Sequence, residues 1–240
     1  MNDISSRIKN ARKKKNLTQE ELGDLLFVSD KTISSWENDR TIPDIESINK
    51  ISKVLDVPFL SLLYGDINTS NIEIEVKFKV SKIEYDQLLH FMVKNAVKLV
   101  EENQNDYYYI SDYFQDKEWI RIRNNNYKNI MTYKKWYQNK YCDEYEVYVD
   151  NIDNLQKILK ILGAKLLVSV KKNRIKYLYK DQYLVLLDNV YNLGPFVEIE
   201  ILNPDISNPL QEYDKLIEIA KELNININNL SDKRYPEYFL

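Results

Sequence analysis

The sequence predicts a multidomain chain: an N-terminal all-α unit of five short helices, then an α+β unit whose mostly antiparallel strands close into a barrel flanked by helices. Three observations carry that expectation. Residues 4–63 hold apolar side chains at helical spacing, punctuated by capping residues and by the break Thr41-Ile42-Pro43-Asp44. From residue 72 the period changes to two, in strand after strand. Finally, the charged and apolar alternation of Glu73-Ile74-Glu75-Val76 returns at Glu144-Tyr145-Glu146-Val147, and each copy is followed by a helical segment and more strands.

Composition narrows the chemistry. The 240 residues are 44 % hydrophobic, with no apolar run near the ~20 residues a membrane span needs. Met1-Asn2-Asp3-Ile4 leads straight into an amphipathic helix, so a cytoplasmic protein without membrane partners is expected. One cysteine, Cys142, excludes an intrachain disulfide framework; with His90 as the one histidine, Cys/His zinc sites and His-based triads are excluded too. Any metal must be held by oxygen, which favours Mg²⁺ or Mn²⁺. A net charge of -3 rules out a polycation that coats nucleic acid, and four glycines write no Gly-rich phosphate loop. Bound phosphate would therefore be held by side chains.

Taken in order, Ile4, Ile8 and Ala11 space out the first helix. Thr18 caps the second, with Glu21 completing a capping box, and Ser29 opens the third. Ile45, Ile48, Ile51 and Leu55 mark the fourth, and residues 58–63 a short fifth. Leu22, Leu25, Ile33 and Trp36 read as core from their spacing. Two short helices with a tight connection inside such a unit form the geometry that places a helix in the DNA major groove.

Leu17-Thr18-Gln19-Glu20-Glu21-Leu22, the segment Val28-Ser29 through Trp36-Glu37-Asn38, and Arg40-Thr41-Ile42-Pro43-Asp44 resemble the lambda-repressor-like (Cro/repressor, XRE-type) helix-turn-helix family over residues 3–64. The resemblance implies double-stranded DNA as partner. Gln19 would contact phosphate or a base, Asp30, Lys31, Thr32 and Ser35 would face base edges, and Asn38 and Arg40 would meet the backbone. Two features stand apart. Phe27 occupies the turn where the family carries glycine, so either the turn is reshaped or a left-handed Phe27 costs on the order of 1 kcal/mol. Ten Lys+Arg against eleven Asp+Glu in residues 1–66 predict modest sequence-independent attraction to DNA, and the run Arg12-Lys13-Lys14-Lys15 reads as a solvated helix end.

Residues 67–71 form a short linker between a helical domain over 1–66 and a second domain over 72–240. Ile72 to Val80 is a strand, and Ser81 and Glu84 cap a helix to about Lys94. Strands follow near 97–100, 107–110, 119–123 and 130–134; after the repeat at 144–149 come a helix ending at Gly163 and strands at 166–174, 183–188 and 196–201. Glu73, Glu75, Glu144, Glu146, Asp188, Glu198 and Glu200 alternate with apolar residues along these strands, as do Lys77, Lys79, Arg121, Arg123, Lys134, Lys172 and Arg174. Pointing outward, they are solubilising positions. Pointing inward, they line a barrel with carboxylates for divalent ions and cations for a polyanion, a combination suited to a metal-bound triphosphate.

Glu73, Glu75 and Lys77, Asp106-Tyr107-Tyr108-Tyr109, Arg121-Ile122-Arg123, Thr132-Tyr133-Lys134, Glu144-Tyr145-Glu146, Lys172-Asn173-Arg174 and the run from Leu187-Asp188 to Gly194-Pro195-Phe196-Val197-Glu198-Ile199-Glu200 resemble the CYTH superfamily of triphosphate tunnel metalloenzymes. That superfamily includes class IV adenylate cyclases, thiamine triphosphatases and inorganic tripolyphosphatases. The resemblance implies an eight-stranded closed antiparallel barrel. In it Lys77, Arg121, Arg123, Lys134, Lys172 and Arg174 would grip phosphates, while Glu73, Glu75, Glu146, Asp188, Glu198 and Glu200 would hold or orient Mg²⁺ or Mn²⁺. Many cyclase-like members carry an arginine where this chain has Lys140-Tyr141-Cys142-Asp143, which implies one phosphate contact fewer.

Together these expectations describe a transcriptional regulator, homodimeric on DNA, with a metal-dependent domain that hydrolyses tripolyphosphate, thiamine triphosphate or ATP. The alternatives are a triphosphate sensor without turnover, and a class IV adenylate cyclase-like enzyme whose helical domain mediates assembly. Tyr107, Tyr108, Tyr113 and Phe114 could stack a base or pack in a core.

Overall fold

The computed structural model describes residues 4–57, 62, 72–125 and 128–240. The chain divides into two compact units, one over Met1–Thr69 and one over Ser70–Leu240. The expected linker at 67–71 lies outside the described residues. So does the fifth helix at 58–63, apart from Leu62, which is helical and fully buried.

In the first unit, α1 (Ile4–Lys14), α2 (Gln19–Leu26), α3 (Asp30–Glu37) and α4 (Ile45–Leu55) enclose a core of Ile8, Leu22, Leu26, Ile33, Trp36, Ile48, Ile51 and Leu55. The predicted caps form. Thr18 accepts from the Glu21 N–H while Glu21 accepts from the Thr18 N–H, and Ser29 accepts from Thr32. Two expectations are corrected and an open one is decided. Leu25 is 53 % exposed, and its neighbour Leu26 takes the core position. Phe27 does not reshape the turn: it adopts the left-handed conformation at φ 59° and leaves its ring in solvent. The glycine this corner requires is Gly23, where a Cβ would stand 2.7 Å from the Val28 carbonyl oxygen. Arg12 is not part of a solvated helix end either. It is buried, donating to Glu37 at 2.5 and 2.8 Å and to the Leu17 carbonyl, while Lys13, Lys14 and Lys15 are exposed.

The second unit is a closed barrel of eight strands, in the order β1-β5-β4-β3-β2-β6-β7-β8, with every pairing antiparallel. The strands are β1 (Ile72–Lys79), β2 (Val97–Ile110), β3 (Glu118–Asn125), β4 (Asn129–Tyr137), β5 (Tyr141–Tyr148), β6 (Lys165–Tyr179), β7 (Tyr183–Val190) and β8 (Gly194–Ile201). Helices α5 (Lys82–Asn95) and α6 (Ile152–Ile161) sit at equivalent places in the two halves, and α7 (Pro209–Glu222) follows β8. The strands expected separately at 97–100 and 107–110 are one strand, because the polar stretch between them pairs along its length with β6 and β3. That merger brings the strand number to eight.

Alternation decides what faces where. Ile74, Val76 and Phe78 of β1 point outward into a core with Val185, Leu187, Val197 and Ile199, roofed by Leu88 and Met92 of α5 and Leu216 and Ala220 of α7. The helix α6 covers Tyr109, Ile120 and Ile122 on the other side through Leu159. With the outer faces so covered, the charged alternate positions turn inward. Among the described residues no helix is long and apolar enough to cross a membrane.

Candidate functional site

The lumen is layered. Tyr108, Trp119, Trp136, Cys142, Val170, Val190 and Phe196 lie toward one end of the antiparallel barrel and form an apolar layer that Tyr235 completes. Above that layer stand the charges. Lys77, Arg121, Lys134, Lys172 and Arg174 are all under a tenth exposed, and Arg123 is half-buried. All six predicted phosphate-gripping cations thus share one interior.

Each is held by a carboxylate. Arg174 forms a fork on Asp188 at 2.6 and 2.6 Å and also binds Glu198; Lys172 donates to Asp188 at 2.9 Å, and Lys77 lies 2.9 Å from Glu198. Arg123 forms a fork on Asp106 at 2.7 and 2.7 Å. Arg121 reaches Thr132 at 3.0 Å, Glu146 at 3.3 Å and Glu144 at 3.6 Å. Lys134 pairs with Glu73 and, at 3.2 Å, with Glu144. Burial pushes the Lys172 ammonium down to about 8, aided by neighbouring Arg174 and only partly offset by Asp188. Burial also opposes ionisation of Asp106, yet Arg123 overcomes it and holds the carboxyl well below the usual range.

The six predicted metal-holding carboxylates do not act alike. Glu73, Glu75 and Glu200 converge, each with an oxygen within 4.8 Å of the others. Asp188 and Glu198 instead serve as counter-ions to Arg174, Lys172 and Lys77, and Glu146 stands at the exposed rim, accepting from Thr132 at 2.9 Å. The converging trio fits a hard divalent cation by donor type. Its electrostatics agree: burial and then the neighbouring Glu73 push the Glu200 carboxyl up to about 7, and Glu200 has no ion pair among the described residues. Cys142 donates to Glu73 at 3.3 Å, and burial raises its thiol well above the ordinary value, as suits an inert neighbour.

Several participants were absent from the predicted set. Asp106 stands in the motif Asp106-Tyr107-Tyr108-Tyr109 and Glu144 in the period-2 series of charges, with no metal or phosphate role assigned to either; both lie at the inward alternation of their strands. Trp136 shares the alternation of Thr132 and Lys134, whereas Arg234 and Tyr235 carry no such signal, because they come from a segment without periodicity. Three interior donors, Arg121 Nε, Trp136 Nε1 and Arg234 Nε, have no acceptor among the described residues. Of the aromatic candidates, Tyr108 packs in the apolar layer, Tyr107 and Phe114 pack under α6, and Tyr113 is exposed. His90 is an exposed residue of α5.

In the helical unit, Asp30 and Lys31 stand exposed on α3, with Thr32 and Ser35 half-buried beside them. Ser35 exchanges a hydrogen bond with Thr41 at 2.9 Å, and Asn38 donates to the Ser34 carbonyl at 2.7 Å; Arg40 is exposed. Gln19 donates to Glu37 at 2.8 Å, so its amide is oriented by the buried Arg12 pair.

Residues 71–235 match the CYTH domain family and residues 8–62 the Helix-turn-helix family. A Methanocaldococcus jannaschii protein, MJ0240, provisionally named an adenylate cyclase, is 29 % identical over 174 residues, covering 69 % of this chain and 97 % of that protein. The solved structure of PH1012 from Pyrococcus horikoshii is similar with a TM-score of 0.61 and 27 % identity, over 69 % of this chain and 98 % of that one. The HTH-type transcriptional activator BcrR of Enterococcus faecalis is 36 % identical over 98 residues, covering 41 % of this chain and 48 % of its own length.

Proposed function

Because the chain belongs to the CYTH family through residues 71–235 and carries a helix-turn-helix domain over residues 8–62, we propose that it is a DNA-binding regulator whose barrel binds and hydrolyses a metal-bound triphosphate. One observation carries this reading: a closed lumen sets the converging carboxylates Glu73, Glu75 and Glu200 beside buried cations, with Arg121 Nε and Trp136 Nε1 lacking acceptors among the described residues. A buried donor left unpaired costs about 1–3 kcal/mol, which a bound anion would recover. Glu73, Glu75 and Glu200 would hold Mg²⁺ or Mn²⁺, and when bound the ion neutralises phosphate charge and polarises the bridging oxygens. Lys77, Arg121, Arg123, Lys134, Lys172 and Arg174 then exchange carboxylate partners for phosphoryl oxygens. Their ion pairs keep them oriented in the free protein, so little reorganisation is needed when charge develops. The apolar layer beneath excludes water from one end.

Phosphorus NMR tests the reading, with Mg²⁺ or Mn²⁺ and, separately, tripolyphosphate, ATP and thiamine triphosphate. Orthophosphate release that Glu73→Gln abolishes is the expected result. Pyrophosphate with a cyclic nucleotide would replace hydrolysis by cyclisation; line broadening without turnover would make the barrel a sensor.

For the helical unit, α3 would present Asp30, Lys31, Thr32 and Ser35 to base edges, with Gln19, Asn38 and Arg40 on or near the backbone, in a homodimer reading a two-fold site. Lys31→Ala is expected to weaken binding to a selected genomic fragment by about tenfold and to relax its sequence preference, while Arg40→Ala weakens all fragments alike. Gel shifts at low salt measure both, and unchanged binding in the two variants would contradict the placement of α3 on DNA.

A further inference from the structure

The barrel wall is short where β1 meets β5, and the C-terminal segment completes it. Pairing at that seam is confined to Ile72, Glu73 and Ile74 opposite Asp143, Cys142 and Tyr141, whereas Glu75 to Lys79 pair with β8. Alongside the unpaired edge of β1, Leu230 forms a bridge to Phe78 and the Ser231 N–H donates to the Lys77 carbonyl at 2.8 Å. The chain then carries Arg234 and Tyr235 into the barrel, where they are 5 % and 3 % exposed.

Both reach the charged layer. The Tyr235 hydroxyl donates to Asp188 at 2.6 Å, and its ring meets the ammonium groups of Lys77 and Lys172 at 4.1 and 4.3 Å from the centroid. Tyr235 is thus a positioning residue for two strand cations. Arg234 lies on the Trp136 ring, its guanidinium carbon 3.4 Å from the centroid, and one terminal nitrogen donates to the Asn139 carbonyl at 2.8 Å. The other terminal nitrogen is 3.7 Å from Glu75, too far for a hydrogen bond. Its Nε has no acceptor among the described residues, and neither has the Nε1 of the tryptophan it stacks on. Glu75 therefore offsets the charge of Arg234 without satisfying its donors. A planar guanidinium fixed on a ring, buried, and short of acceptors suits a tetrahedral oxyanion.

We propose that Arg234 is an anion-binding residue of the lumen, delivered through the β1–β5 seam by the C-terminal segment to grip a phosphoryl group of the polyphosphate held by the strand cations. The proposal rests on the triphosphate reading of the barrel and adds a ligand contact from outside the strands.

Calorimetric titration of the full chain with tripolyphosphate, with and without Mg²⁺, tests it. Arg234→Gln and Arg234→Ala are expected to weaken binding by about 10- to 100-fold. The salt dependence should also become shallower in both variants, with thermal unfolding of the barrel retained. Arg234→Lys should recover part of the affinity, which a purely structural wedge would not require. If the wild-type protein binds no tripolyphosphate, the triphosphate reading itself fails and the proposal with it. If the wild type binds and both folded variants bind within about twofold of it, Arg234 is no ligand contact and the triphosphate reading stands. Loss of fold in both variants would assign Arg234 to structure alone and overturn the proposal.

Discussion

Arg174→Ala is expected to destabilise the barrel by about 3–5 kcal/mol and to abolish triphosphate binding. Among the described residues the guanidinium of Arg174 is the one cation that touches both Asp188 and Glu198, and both carboxylates are buried. Burial by itself would raise the two carboxyls; Arg174 is the largest influence holding them below their ordinary values. Without it, Asp188 keeps Lys172 and the Tyr235 hydroxyl, and Glu198 keeps Lys77, so neither loses every partner. The fork geometry is lost, however, and with it the alignment of Lys77 and Lys172 toward the lumen. Arg174→Lys should rescue little, because one ammonium cannot span both carboxylates as the fork does. Urea unfolding followed by near-ultraviolet circular dichroism reads the barrel through its tyrosines and tryptophans. An unchanged midpoint in Arg174→Ala would show that the interior network contributes nothing net.

Arg12→Ala carries the second large effect, a loss of about 3–5 kcal/mol in the helical unit with DNA binding abolished as the unit unfolds. Its Nε and a terminal nitrogen hold Glu37, whose side chain is fully enclosed, and Glu37 in turn fixes the amide of Gln19 at the start of α2. Removing the arginine leaves a buried carboxylate and an unanchored Gln19. The pair also predicts a pH dependence. Burial would raise the Glu37 carboxyl, but hydrogen bonds from Arg12 and Gln19 outweigh it and lower the folded-state value. A depressed carboxyl stabilises the fold above its ordinary pKa, and that stability is lost as pH falls through the lowered one. Thermal melting of the helical unit should thus fall on acidification in the wild type. In Arg12→Met/Glu37→Leu, where the pair is replaced by apolar groups, this acid-dependent part should be missing while stability at neutral pH is largely kept. An equal acid response in both proteins would remove Glu37 as the cause.

Much of this was legible along the chain. Caps at Thr18, Ser29 and Ser81 form as predicted, since an N-cap bond is satisfied within four residues and needs no tertiary partner. The six cations expected to grip phosphate share one interior, and period-2 alternation marks them whichever face they take. Leu25 and Leu26 show the limit: helical spacing admits either neighbour, and only packing into the core of the helical unit selects Leu26. Phe27 shows another, since its left-handed conformation is imposed by the closeness of Gly23 to Val28.

By itself the sequence determined the helical and strand segments, the repeated strand and helix halves and the alternating series of charged residues, because each is read from the spacing of near neighbours. The tertiary structure alone decided that those charges face inward, that Glu73, Glu75 and Glu200 meet while Asp188 and Glu198 serve cations, and that Arg234 joins them from the C-terminal segment. Each of those outcomes depends on barrel closure, which brings β1 against β8 and the chain end against the β1–β5 seam. Local periodicity assigns a residue to one face of its strand; which face is dry, and which distant carboxylate it meets there, follows only once the sheet has closed and the helices have covered its outer side.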